Sequence, residues 1–362
     1  MADKFDLVVI GAGPGGYEAA IEGVQKGMKV ALVEKRELGG ACLNRGCIPT
    51  KTILHTAELY HELQSGPSIG LTAREPVVDM EMVQKRKDEV LEQLRKGIAS
   101  LMKTNKISVY YGTGTILDRE HVKVALSGEK TGEKAEEQPD GQKQDQVVLE
   151  TGHILIATGS VPACPPIPGS SLPGVVTSDG LLDKKDMFEH LIIIGGGVIG
   201  MEFASVYSSL GHGVTVIEAL DRILPTMDKE IAQNMKMIMK KRNVDIHTGA
   251  KVEEILQTED GAGLICRYVE KDKPCEARAD GILIAAGRRA YTGGLITDES
   301  SQEVKDMAME RGRIITDEKY ETSVPGIYAV GDVTGGIQLA HAATAQGRSA
   351  VAHMAGEDMV IR

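Results

Sequence analysis

The chain has 362 residues, 42% hydrophobic and 26% charged, with a formal net charge of -11. That is the composition of a globular protein of about two domains rather than a disordered one, and its acidic balance disfavours a general nucleic-acid binder. No run approaches the ~20 apolar residues that span a bilayer, and the N-terminus, MADKFD, opens no apolar run of a secretory signal, so a cytoplasmic chain is expected.

The first element is an apolar strand, Leu7 to Ile10, of the kind buried on both faces. A turn follows that contains Gly11, Gly13, Pro14, Gly15 and Gly16, then a helix, then a second strand from Lys29 to Val33 that ends at Glu34 and Lys35. In such a unit the first glycine allows the bend, the second lets backbone approach a pyrophosphate, and the third lets helix pack close to strand. The helix N-terminus offers free N–H groups to the phosphates, and the terminal carboxylate can accept hydrogen bonds from ribose hydroxyls.

Next comes GGACLNRGCIPTK, Gly39 to Lys51, which holds Cys42 and Cys47. In a regular helix five residues turn about 500° and rise about 7.5 Å, so the two side chains would point about 140° apart. A disulfide between them therefore requires a distorted turn, which Gly46 and Pro49 suit. Two buried free thiols are the alternative. A zinc half-site would need two further ligands, and no second close Cys or His cluster appears. Cys164, Cys266 and Cys275 are isolated and are expected to be buried or incidental thiols.

Residues 76–105 carry Val83, Val90, Leu94, Ile98 and Leu101 at helical spacing. Short strands are expected near Val109–Gly112, Val122–Ala125 and Gln146–Leu149. The polar stretch 128–145 between them reads as an exposed, mobile hairpin tip. The proline-rich stretch 161–172 reads as a linker.

The opening pattern then recurs. VVIGAGPGGYEAAIEGVQKGMKVALVEK, from Val8 to Lys35, aligns without gaps at an offset of 184 with IIIGGGVIGMEFASVYSSLGHGVTVIEA, from Ile192 to Ala219. Gly195, Gly197 and Gly200 match Gly11, Gly13 and Gly16, with Val198 and Ile199 opening the helix; Glu202 matches Glu18 and Glu218 matches Glu34. Glu218, followed by Ala219, Leu220 and Asp221, would repel a 2′-phosphate and so favours NAD over NADP. Ile282–Ala285 and Gly326–Val330 complete the chain as buried strands. Two such units suggest two dinucleotides, most commonly FAD with NAD.

The cysteine motif, the two glycine fingerprints and the late Gly331-Asp332 together resemble the flavin-dependent pyridine nucleotide–disulfide oxidoreductases. The resemblance runs from Asp6 to Arg362 and is strongest to the branch that oxidises dihydrolipoamide. It implies an α/β fold of two Rossmann-like domains, with an FAD-binding domain at 1–160 and 288–362 and an NAD-binding domain at 161–287 inserted in it. It implies that Cys42 is the interchange thiol and Cys47 the thiol nearest the flavin, forming a redox disulfide, with Lys51 beside the flavin and paired with Glu202. FAD would be held by Gly11, Gly13, Pro14, Gly15, Gly16, Glu34, Lys35, Gly40, Ala41, Cys42, Gly46, Lys51, Gly114 and Ala157-Thr158-Gly159-Ser160, and also by Gly331, Asp332, Leu339, Ala340, His341 and Ala342. NAD would be held by Gly195, Gly197, Val198, Ile199, Gly200, Glu202, Glu218, Val252, Gly287 and Arg288.

The partner implied is the lipoamide of a lipoyl-bearing protein, in a 2-oxo acid dehydrogenase or glycine cleavage complex. The family's catalytic base is a histidine followed by proline and held by a glutamate, donated across a homodimer. None of the nine histidines here is followed by proline. The expectation is therefore a shortened form without the dimerisation domain, able to bind FAD and to reduce dyes with NADH but impaired towards lipoamide. A mercuric-reductase-like enzyme, a soluble transhydrogenase and a non-catalytic FAD-binding fragment are the alternatives; the cysteine pair opposes the second of these.

Overall fold

The protein is described from a computed structural model covering residues 3–127 and 145–359. In chain order the first elements are β1 (Asp3–Ile10), α1 (Pro14–Gln25), β2 (Val30–Glu34), α2 (Gly40–Arg45), α3 (Cys47–Ser65) and α4 (Met80–Thr104). They are followed by β3 (Ser108–Ile116), β4 (His121–Leu126), β5 (Gln146–Ile156), β6 (Ser160–Pro162), β7 (Val175–Thr177), α5 (Ser178–Leu182) and β8 (His190–Ile194). Then come α6 (Val198–Ser209), β9 (Gly213–Glu218), α7 (Lys229–Lys241), β10 (Val244–Thr248), β11 (Ala250–Gln257), β12 (Leu264–Glu270), β13 (Lys273–Ala279) and β14 (Gly281–Ile284). The last are β15 (Arg288–Ala290), α8 (Gln302–Lys305), β16 (Met309–Glu310), β17 (Arg313–Ile314), β18 (Ile327–Ala329) and α9 (Ala340–Met354). The expected hairpin tip at 128–145 lies, but for Asp145, outside the described residues.

The chain forms two compact units, 1–44 with 92–161 and 289–362, and 45–91 with 162–288. It passes between them within α2, within α4 and at 161/162 and 288/289. The sequence division kept 1–160 together; by packing, residues 45–91 group with the second unit.

In the first unit β1 pairs in parallel with β2 on one side and β5 on the other, β2 with β3, and β5 with β18. The short antiparallel β4 joins the far ends of β3 and β5. Central strands of a parallel sheet are apolar throughout, and Leu7, Val8 and Val9 of β1 and Ile154, Leu155 and Ile156 of β5 are fully buried. Helices α1 and α9 pack closely through small residues: a Cβ on Gly347 would lie 2.4 Å from the Gly15 carbonyl oxygen.

The second unit repeats the plan with a parallel sheet in the order β10–β9–β8–β14–β7. An antiparallel sheet β11–β12–β13 adds a second layer, its Ile255, Leu264, Cys266 and Tyr268 packing against Ile192, Ile194, Ile282 and Ile284. Helices α3 and α6 contribute Ile53, Ala57, Met201 and Ala204 to the other core. Among the described residues no helix is long and apolar enough to cross a membrane.

Candidate active site

Both glycine turns lie where the sequence puts them, at the end of a strand and the start of a helix. In the first, a Cβ on Gly11 would sit 2.4 Å from the Ala157 oxygen, and one on Gly16 would sit 1.8 Å from the Gly11 oxygen. Those two positions are closed by the protein's own backbone. Gly13 is different, since its Cβ would meet nothing nearer than Gly40 Cα, 3.7 Å away. Helix α1 starts at Pro14 with no side-chain cap and no acid in its first turn. Its positive end and unpaired N–H groups are thus left for an anion.

Glu34 braces this turn. Its carboxylate accepts hydrogen bonds from the amides of Ala12 (2.8 Å) and Arg36 (2.8 Å). A carboxylate has about four acceptor directions, so directions remain for ribose hydroxyls. The Gly39 amide donates to the Ala12 oxygen at 2.8 Å, tying the approach to α2 onto the same turn.

The second turn reproduces the arrangement. Gly195 and Gly200 are closed by the Ala285 and Gly195 oxygens, at 2.4 and 2.0 Å from a built Cβ, whereas nothing lies within 4 Å of one on Gly197. Helix α6, opening with Val198, Ile199 and Gly200, is likewise uncapped and free of acids in its first turn. Glu218, buried, accepts from the amides of Gly196 (2.6 Å) and Leu220 (2.7 Å). The Leu224 amide donates to the Gly196 oxygen at 2.8 Å, and Leu224 holds a left-handed φ of 48° to do so. Val252 lies half-buried on β11, Gly287 has a φ of 106°, and Arg288 opens β15. The open middle glycines, the uncapped helix ends and the acid at the strand end fit a dinucleotide on each unit.

The cysteine motif is two helices, not one. Helix α2 carries Gly40, Ala41 and Cys42; Gly46 (φ -147°, ψ -108°) breaks it; and α3 restarts at Cys47. The distorted turn that a bond between the two thiols requires is thus present. Cys42 is half-buried and Cys47 exposed. Asn44, between them and buried, donates to the oxygens of Leu38 (3.0 Å) and Gly40 (2.9 Å) and accepts from Arg95 Nε (2.6 Å). Sequence reasoning missed both Asn44 and Arg95. The signal available was a polar side chain inside the motif, opposite a charged residue of the long helix.

On α3, Lys51 Nζ lies 2.5 Å from Oε1 of Glu202 on α6. Glu18, the repeat partner of Glu202, pairs instead with Arg348 of α9 at 2.7 Å. The equivalent glutamates thus serve different cations.

In the first unit Ser160 donates to Asp332 at 2.5 Å, and the Gly331 amide donates to the Gln346 side-chain oxygen at 2.8 Å. Helix α9 starts at Ala340 with Leu339 as its first flanking residue and no side-chain cap; His341 is exposed and Ala342 half-buried. A cleft beside Glu34 is lined by Gly11, Lys35, Gly114, Thr158 and Tyr291, among others. The first three of these and Thr158 are sequence candidates, as are the adjoining Ala157 and Gly159; Tyr291 was not recognised. Among the described residues no group of three or more His, Cys, Asp or Glu is placed to hold a metal ion.

Residues 5–347 match the family described as pyridine nucleotide-disulphide oxidoreductase. The chain is 39% identical to a dihydrolipoyl dehydrogenase of Bacillus subtilis (strain 168), covering 98% of this chain and 73% of that one. It is also 39% identical to a dihydrolipoyl dehydrogenase of Acholeplasma laidlawii, over 98% of this chain and 97% of that one. Among solved structures it is similar to the copper(II) complex of a hypochlorous-acid-induced flavoprotein disulfide reductase of Escherichia coli. There the TM-score is 0.78 at 31% identity, over 97% of this chain and 71% of that one. The glycine turns, the broken helix between the cysteines and these likenesses agree: the chain belongs to the pyridine nucleotide-disulphide oxidoreductase family.

Proposed function

We propose that the chain acts as a dihydrolipoyl dehydrogenase, carrying electrons from a dithiol through Cys42 and Cys47 to FAD and NAD. The observation that carries this reading is the sequence of features at the first turn: a glutamate-braced glycine cradle leads, through the Gly39–Ala12 bond, directly into a helix broken between two cysteines. In the exchange, one sulfur of the dithiol, as thiolate, attacks Cys42 Sγ of the Cys42–Cys47 disulfide and releases the Cys47 thiolate. The second substrate sulfur, also deprotonated, then attacks the first, closing the substrate disulfide and expelling the Cys42 thiolate. The substrate loses two protons and two electrons, and the electrons rest on the cysteine pair.

FAD, when bound, accepts that electron pair and supplies hydride transfer to NAD. Gly13, the start of α1 and Glu34 would hold the FAD pyrophosphate and ribose, with Lys35, Gly114 and Thr158 about the adenosine and Asp332, oriented by Ser160, at the sugar chain. Gly197, the start of α6 and Glu218 would do the same for NAD. Lys51 would set a positive charge near the flavin, and Glu202 would hold it in place. The first unit is thus the FAD-binding domain and the sheet of β7–β10 and β14 the NAD-binding domain. The dithiol is the lipoyl group of a partner protein of a 2-oxo acid dehydrogenase or glycine cleavage complex, and the setting is the cytoplasm, where reducible cysteine pairs persist.

The test is a titration of purified protein. A flavin spectrum is expected at one FAD per chain, bleached by dihydrolipoamide and by NADH but not by NADPH at matched concentration. A protein that neither retains nor takes up FAD would overturn the reading.

A further inference from the structure

Tyr291 has no place in the exchange chemistry, yet its position is unusually well determined. Its amide donates to the Gly159 oxygen at 2.9 Å, and its own carbonyl accepts from Thr158 Oγ1 at 2.6 Å. Both contacts tie it to the segment that follows β5. The ring lies against Gly293, where a Cβ would come within 3.2 Å of Tyr291 Cζ. On the ring sits Lys35 Nζ, 3.7 Å from the centroid, within reach of a cation–π attraction. The ring and the ammonium border the cleft that also contains Glu34 and Gly114. Opposite them the cleft wall is Ile10, Val33 and glycine backbone, which is flat and apolar.

A slot with one aromatic wall, one glycine-smoothed wall and a ribose-binding carboxylate at its mouth suits a purine. We infer that Tyr291, with the Lys35 it carries, is the wall against which the adenine of FAD packs, and that this contact governs how long the protein keeps its flavin. The inference rests on the reading above that the first cradle takes FAD. Base–aromatic packing is worth about 1–3 kcal/mol, which corresponds to about fivefold to 150-fold in affinity.

The experiment measures FAD release from diluted holoprotein by the return of flavin fluorescence, and ADP binding to the apoprotein by calorimetry. Tyr291→Ala is expected to speed FAD release and weaken ADP about tenfold or more; Tyr291→Phe is expected to stay within about twofold of wild type. Tyr291→Leu, which keeps apolar bulk and removes the ring, should resemble Tyr291→Ala while unfolding near the wild-type temperature. FMN, which lacks the adenosine, should bind all four proteins alike. Wild-type affinity for ADP in Tyr291→Leu would overturn the inference, as would an equal loss of FMN and FAD. Failure of the wild-type protein to bind FAD or ADP would instead overturn the functional reading itself.

Discussion

Lys51 and Glu202 meet at 2.5 Å, each standing four residues into its own helix, α3 and α6. The lysine side chain is 56% exposed and the glutamate 22%, so water screens the pair and its worth to stability is at most about 1 kcal/mol. Glu202→Gln is therefore expected to leave the thermal midpoint within a few degrees. Its effect should fall on chemistry: turnover of dihydrolipoamide should drop about tenfold as the lysine loses its fixed position. Stopped-flow reduction alongside calorimetry separates the two, and a lost midpoint with intact turnover would refute the assignment.

Cys42→Ser should abolish dihydrolipoamide turnover while leaving NADH-to-dye reduction intact, because the dye route uses no interchange thiol. Cys47→Ser should also abolish dithiol turnover. Both variants should retain flavin, which their visible spectra report. Loss of dye reduction in Cys42→Ser would show that the thiol supports the fold rather than the exchange.

The glycines divide into two kinds with different outcomes. Gly16→Ala forces a methyl to 1.8 Å from a backbone oxygen and should destabilise the first unit by about 3 kcal/mol or more. Gly197→Ala meets nothing within 4 Å, so the protein should fold normally and bind NADH about tenfold more weakly. Urea unfolding and NADH titration of the two variants give the comparison.

His247 supplies a pH dependence. Burial alone would push it down, but its hydrogen bonds to Glu270 at 2.8 Å and Asp245 at 2.9 Å outweigh that and hold it above the ordinary histidine value. A raised value in the folded state means the imidazolium stabilises fully below the unfolded value, about 6.5, and that stabilisation is lost as pH rises through the folded value. The difference in urea midpoint between wild type and His247→Gln should accordingly be largest near pH ~5.5 and shrink towards pH ~9. A difference constant with pH would contradict the ionic role.

Cysteine labelling offers a check on burial. The Cys266 thiol is fully buried and pushed up to about 12 by desolvation, whereas Cys164 is exposed. Iodoacetamide on the native protein should modify Cys164 and spare Cys266 until denaturant is added, as peptide mass spectrometry would show.

The sequence carried much of this because its strongest signals are local. The repeat, the glycines and the acids are set by spacing within some 30 residues, and the helix break at Gly46 follows from the rise of a helix between Cys42 and Cys47. The helix expected over 76–105 is α4, Met80–Thr104, and the strand expected at Val109–Gly112 runs on to Ile116 because its far end pairs with β4. What stayed hidden depends on contacts distant in sequence. Tyr291 reaches its cleft only through bonds to residues 158 and 159, more than 130 positions away. Asn44 is explained only once Arg95 is beside it. The antiparallel layer β11–β13 left no distinctive spacing, because half of each strand faces solvent and reads as ordinary polar sequence.

Leu224 completes at the second turn, with a strained leucine, the fold-back that Gly39 completes at the first with a glycine at φ 100°. The two cradles are copies of one ancestral device, and this is where they parted. After the glycine pair the first copy was free to turn sharply into a reactive helix; after Leu224 the second runs on to Asp228, which caps α7. Doubling the unit let one copy acquire chemistry while the other kept to carrying, and a single buried leucine marks the copy that stayed a carrier.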